Sequence, residues 1–98
     1  MYAVIFKAKT KKLDADYFKM AKRMRELAIN KFGCVEFTAV TEGFNEIAIS
    51  YWESMEQIKK WKQNREHLVA QKLGQEKWYE DYTVEIVEVI SKYGKEKI

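Results

Sequence analysis

The sequence predicts one α+β domain: a four-stranded antiparallel sheet with helices on one face and a second copy of the chain against the other. Three observations carry that expectation. Apolar periodicity alternates between strand and helix spacing in the order β-α-β-β-α-β, the ferredoxin-like arrangement. The 98 residues hold no proline and four glycines, which leaves little room for linkers. One unit therefore spans 1–98, with its core over about 2–90 and a short C-terminal tail. Finally, the strands carry apolar residues on both faces, and two helices can cover only one.

Tyr2 to Phe6 is rich in β-formers and starts a strand running to about Lys9. Asp14 or Asp16 can cap the next helix, in which Tyr17, Met20, Ala21, Met24, Leu27 and Ala28 recur at helical spacing. Gly33 is the expected stop. Val35, Phe37 and Ala39 alternate with Glu36, Thr38 and Val40 in a second strand. Glu42 to Asn45 reads as a hairpin turn, and Glu46 to Trp52 as the third strand. Ser54 with Gln57 three residues later forms a capping-box pattern, opening a helix that buries Ile58 and Trp61. Asn64 can cap a continuing helix closed by Gly74. A short helical turn at Gln75–Glu80 then precedes a long last strand, Tyr82 to about Tyr93.

On the strands, Tyr2, Val4 and Phe6 oppose Ala3 and Ile5, and Ile47, Ile49 and Tyr51 oppose Ala48 and Trp52. Val84, Ile86 and Ile90 oppose Val87 and Val89. The face away from the helices must meet something apolar, and a two-fold copy of itself is the simplest solution. A homodimer is the expected assembly.

With 47% apolar and 34% charged residues the chain is globular rather than disordered. No apolar run approaches the roughly 20 residues a bilayer span needs, and Lys7 and Lys9 interrupt the first apolar stretch. Neither membrane association nor export is expected. The lone Cys34 cannot form an intramolecular disulfide, which fits a reducing, cytoplasmic setting; beside Gly33 it reads as a buried structural thiol. One cysteine and one histidine cannot build a structural zinc site, and no other ligand spacing suggests a metal. The net charge of +3 is uneven: nine basic and three acidic residues precede Gly33, against nine and twelve from there on. That basic excess can attract phosphates or form a solvated helix face.

The segment from Ser50 onward carries a composite pattern: Ser50, Tyr51 and Trp52; Trp61 through His67; Ala70-Gln71; Gly74; Trp78-Tyr79; and Tyr82 through Val84. In this spacing of W, W, H, AQ, G, WY and Y the chain resembles the antibiotic biosynthesis monooxygenase family, and the agreement in element type covers about residues 2–90. The resemblance implies a dimeric α+β barrel with a pocket in each protomer between sheet and helices. It also implies, in cofactor-free members, that a phenolic or anthrone substrate is deprotonated and reacts directly with dioxygen. Such a site needs a proton acceptor, donors for the anion, and walls that exclude water.

His67 is the candidate catalytic base, as the only side chain whose ordinary pKa suits proton transfer near neutrality; alternatively it hydrogen-bonds structurally near a helix start. Trp61 can stack on a flat substrate or serve the core. Gln71, Trp78 and Tyr82 complete the candidate substrate-binding set, each with a plain structural alternative. Haem-degrading relatives carry their iron ligand ten residues after the pocket tryptophan, where this chain has Gln71, and a first-strand asparagine that is missing here. Haem is therefore not expected, and no cofactor is. An RNA-recognition sheet would need aromatics where Glu46 and Ile49 stand, so nucleic acid is not an expected partner either. Two readings remain: a cofactor-independent monooxygenase on a small aromatic, polyketide-like substrate, or a non-catalytic dimeric ligand-binding or accessory module. An open apolar cavity lined by His67 separates the first from the second.

Overall fold

In the computed structural model, which describes residues 1–95, the chain runs β1 (Tyr2–Thr10), α1 (Ala15–Asn30), β2 (Glu36–Glu42), β3 (Asn45–Trp52), α2 (Met55–Gln63), α3 (Arg65–Leu73), a π-helical turn (Gly74–Trp78) and β4 (Tyr79–Glu88). The four strands form one antiparallel sheet in the order β2-β3-β1-β4. This is the ferredoxin-like α+β fold that the periodicity predicts.

The helices begin where the caps allow. Asp14 accepts the Tyr17 amide at 2.9 Å and caps α1. Ser54 and Gln57 form the reciprocal capping box of α2, and Asn64 accepts the Glu66 amide at the start of α3. Asn64 itself has an extended ψ of 139°, so α2 and α3 are two helices with a break between them. Between β2 and β3, Gly43 takes a φ of 59° and Phe44 does not, the signature of a two-residue II′ hairpin turn.

Register assigns the faces. Val4 pairs with Ser50 and Ile86, and Phe6 with Ala48 and Val84, so these residues share the helix-facing side. The core there is Val4, Ala28, Cys34, Trp52, Ile58 and Trp61, with Tyr2, Phe32, Phe37 and Met55 packed around it. Trp52 and Ile58 are fully buried, and the Trp52 indole donates to Ser50 Oγ at 2.9 Å. Burying each such side chain stabilises the fold by about 1.5–3 kcal/mol. Cys34 is buried as expected, and burial pushes its thiol pKa up. The opposite sheet face carries Ala3, Ile5, Ile47, Ile49, Tyr51, Val40 and Val87 around a few charges.

Two boundaries differ from expectation, and one holds for a different reason. Helix α1 ends at Asn30, and Gly33, at φ 81°, reverses the chain three residues later. Gly74 does close α3 as its C-cap, but not as a left-handed stop. It has a helical φ of −59°, and glycine is required because a Cβ there would lie 2.6 Å from the Tyr79 ring. The last strand starts at Tyr79, which pairs with Thr10 across a bulge, and stops at Glu88 opposite Tyr2. Past that pair only Met1 remains, its carbonyl accepting the Val89 amide at 2.9 Å, so the chain then leaves the sheet and Lys92 lies 4.1 Å from the Tyr51 ring centroid.

Candidate active site

A cavity of about 180 Å³ lies between the helix-facing side of the sheet and the helices. Trp61, His67, Gln71, Trp78 and Tyr82, the five residues singled out in the sequence, all line it. Their surroundings differ sharply. Trp61 is buried and meets His67 edge-on at a centroid distance of 4.4 Å. Neither Trp61 Nε1 nor His67 Nδ1, both buried, has a hydrogen-bond partner among the described residues. Burial, with Lys62 nearby as a lesser cause, lowers the His67 pKa to about 4. The imidazole is therefore neutral at physiological pH, and its ordinary value near neutrality does not apply.

Trp78 is nearly fully buried, and its indole N–H donates to Asp14 Oδ1 at 3.2 Å. Its polar handle is thus committed to structure, and only its ring is offered to the cavity. The Tyr82 hydroxyl accepts from Gln75 Nε2 at 2.7 Å, leaving its own proton to donate, and its ring stacks on Phe6 at 5.8 Å. Gln71 is exposed at the cavity rim.

The structure adds residues that the sequence reading passed over. Tyr17 donates its hydroxyl to Glu46 Oε1, a buried pair at one end of the cavity. Tyr79 stands beside them; burial, followed by the Glu46 charge, raises its pKa to about 12. Tyr17 is pushed up further, mainly by burial and then by its bond to Glu46. Both phenols remain protonated donors. A signal for this cluster existed: Glu46 falls on the same strand face as Ala48, Ser50 and Trp52, an inward carboxylate that needs a partner. The partner lies 29 positions away and only the packing of α1 on the sheet reveals it.

At the other end, Arg25 sits over Phe37 at 5.7 Å, Phe37 meets Trp61 at 6.2 Å, and Lys62 follows Trp61 in α2. The arrangement offers apolar walls, phenolic donors, one carboxylate and one neutral imidazole. Among the described residues no group of three or more His, Cys, Asp or Glu is placed to hold a metal ion, and no helix is long and apolar enough to cross a membrane.

This sheet and its helices have the fold of the antibiotic biosynthesis monooxygenases. SnoaB, a cofactor-independent oxygenase from Streptomyces nogalater, superposes with a TM-score of 0.77 at 10% identity, over 93% of this chain and 94% of SnoaB. Rv0793 from Mycobacterium tuberculosis gives 0.78 at 12% identity, over 95% and 98%. A structure named antibiotic biosynthesis monooxygenase gives 0.68 at 14% identity, over 93% and 100%. At these identities the likeness is one of fold. No protein-family model matches the sequence. The chain belongs to the family of the uncharacterized protein YqjZ of Bacillus subtilis, to which it is 37% identical over 89 residues, 90% of this chain and 78% of that protein.

Proposed function

We propose that the chain is a cofactor-independent monooxygenase that acts with dioxygen on a small aromatic, polyketide-like substrate, as a cytoplasmic homodimer. The observation that supports this most is the cavity itself: aromatic walls, phenolic donors and the chain's sole imidazole converge on one space. In the reaction, an activated ring CH₂ loses a proton, and the resulting anion forms a C–O bond with dioxygen. Loss of water then leaves a carbonyl, so one oxygen atom enters the product and the other leaves as water. No external reductant is needed.

His67 accepts the proton. Its depressed pKa makes it a weak base in the empty cavity, but an enolate formed beside it favours the imidazolium and raises that pKa. Trp61 and Trp78 pack the substrate plane, and Tyr82 and Gln71 supply polar contacts. Tyr79, whose hydroxyl stays protonated, donates to an oxygen atom at the floor beside the Tyr17–Glu46 pair. The apolar sheet face opposite the cavity is the dimer surface, which would bury on the order of 2,000 Å² or more.

One observation favours the ligand-binding module instead: the same low basicity of His67, which serves binding without turnover. Oxygen uptake with 1,8-dihydroxyanthrone separates the two. Consumption of one dioxygen per quinone formed, slowed about 10²–10⁴-fold by His67→Ala, is the expected result. Binding without oxygen uptake would leave the module reading, and an unchanged rate in His67→Ala would remove His67 from the mechanism.

A further inference from the structure

One charge in the cavity has no counter-charge. Glu46 shares the helix-facing side of β3 with Ala48, Ser50 and Trp52, and it is only 7% exposed. Its Oε1 accepts the Tyr17 hydroxyl, and Tyr79 feels its negative charge. Both of these neighbours are neutral phenols. The ion pairs of the described residues join Arg23 to Glu66, Lys60 to Glu56, Lys77 to Asp14 and Lys92 to Glu36, and none includes Glu46. The cavity's own cations stand elsewhere. Arg25 lies eight residues beyond Tyr17 on α1, about 12 Å along the helix, where it covers the Phe37 ring; Lys62 follows Trp61 in α2. A buried carboxylate is ordinarily paired with a positive charge.

The walls around Glu46 are aromatic. Tyr17 meets Trp78 at 5.2 Å and Tyr79 at 6.2 Å, with the rings nearly perpendicular at 84° and 89°. Phe6 meets Tyr79 at 5.2 Å and Tyr82 at 5.8 Å, and Tyr79 lies 5.9 Å from Tyr82. These five rings form one connected cluster, and all of them line the cavity together with Glu46. Rings set at steep angles around a carboxylate make a box whose walls and base both attract positive charge. Packing alone would ask for an apolar side chain where Glu46 stands.

We infer that the Glu46 end of the cavity is a binding site for an organic cation, a primary or secondary ammonium held against the carboxylate and enclosed by the five rings. The ammonium N–H donates to Glu46. A carboxylate offers about four acceptor sites, so the bond from Tyr17 leaves room for it. The protein needs no donor of its own here, because the ligand brings one. Glu46 is already out of water in the fold, so only the ligand's desolvation opposes the pairing. This site goes beyond the oxygenase reading and stands whether or not the chain oxygenates what it binds.

The test is calorimetric titration of the full-length protein with 1-naphthylmethylammonium and with 1-naphthylmethanol, which carries a hydroxyl in place of the charge. A hydrogen bond to a charged group gives about tenfold or more in affinity, so the ammonium should bind about tenfold tighter than the alcohol. Glu46→Gln keeps an acceptor for Tyr17 and removes the charge. It should abolish the preference, with alcohol affinity unchanged as the control for folding. Tyr82→Leu takes one ring from the box and should reduce the preference severalfold. Equal affinity of the two probes in the wild type, failure of both to bind, or a preference that survives Glu46→Gln overturns the site. Should Glu46→Gln not fold, an undiminished preference in Tyr82→Leu overturns it instead. Oxygen uptake with the neutral anthrone tests the oxygenase reading separately, so either can fail without the other.

Discussion

Titrating the single histidine probes the cavity wall without needing a substrate. Burial and Lys62 hold the His67 pKa at about 4 in the folded chain, against an ordinary 6.5. Below the ordinary value the unfolded chain binds a proton that the folded chain refuses. Stability is therefore full above about pH 6.5 and falls as pH drops toward the folded pKa. At about 1.4 kcal/mol per pKa unit the complete loss is about 3 kcal/mol, of which about 2 kcal/mol is already lost between neutral pH and about pH 5. That is a large share of the about 5–15 kcal/mol that holds a typical domain together. Urea unfolding across this range should show the excess loss in the wild type and not in His67→Gln; carboxylate titrations common to both cancel in the difference. Proton NMR gives the direct reading, since the only imidazole in the chain should titrate near 4. A midpoint near 6.5, with parallel stability profiles in the two proteins, would refute the burial argument and restore His67 as an ordinary surface base.

Other outcomes follow from single contacts. Gly74→Ala places a Cβ 2.6 Å from the Tyr79 ring and should cost about 1–3 kcal/mol; combining it with Tyr79→Val should recover part of that loss, and strict additivity in the cycle would count against the clash. Tyr17→Phe leaves the buried Glu46 carboxylate without its donor and should cost about 1–3 kcal/mol, whereas Glu46→Gln keeps an acceptor and should cost less; equal thermal shifts would contradict this. Ile5→Glu or Ile49→Glu, on the sheet face away from the cavity, should convert a sedimenting dimer to monomer, and a wild-type chain that is monomeric at micromolar concentration would end the dimer reading. Stoichiometric haem should give no histidine-type Soret band, because Gln71 stands where haem-degrading relatives place their ligand; a band lost in His67→Ala would show the ligand to be elsewhere.

The parts of this fold that are written locally were readable. Caps at Asp14, Ser54 and Asn64, and alternation on the strands, place every helix and strand within a few residues. The errors arose where tertiary contact decides. Gly74 does close α3, but glycine is needed there for the Tyr79 ring five residues on, not for the left-handed turn that usually ends helices. The last strand looked longer because Val89 and Ile90 are good β-formers, but a strand ends where its neighbour does. The same division holds at the site. The aromatic and imidazole set was singled out because the segment from Ser50 onward carries the family resemblance and the chain's one histidine. The Tyr17–Glu46 pair and the Arg25–Phe37–Trp61 chain were not, since each joins elements far apart in sequence.

Asp14 has a consequence for how molecules come and go. Its carboxylate takes the Tyr17 amide, the Trp78 indole and the Lys77 ammonium, at 2.9, 3.2 and 2.8 Å. It thereby fastens the start of α1 to the π-helical turn that leads into β4. The opposite wall is hung differently. Helix α3 has no fully buried residue, joins α2 through the extended Asn64, and is tied to α1 by the exposed Arg23–Glu66 pair. Helix α3 is thus the least anchored wall of the cavity, and ligand exchange is expected on its side. Its amides should exchange with solvent before those of α1 and β1, and an occupied cavity should slow them first.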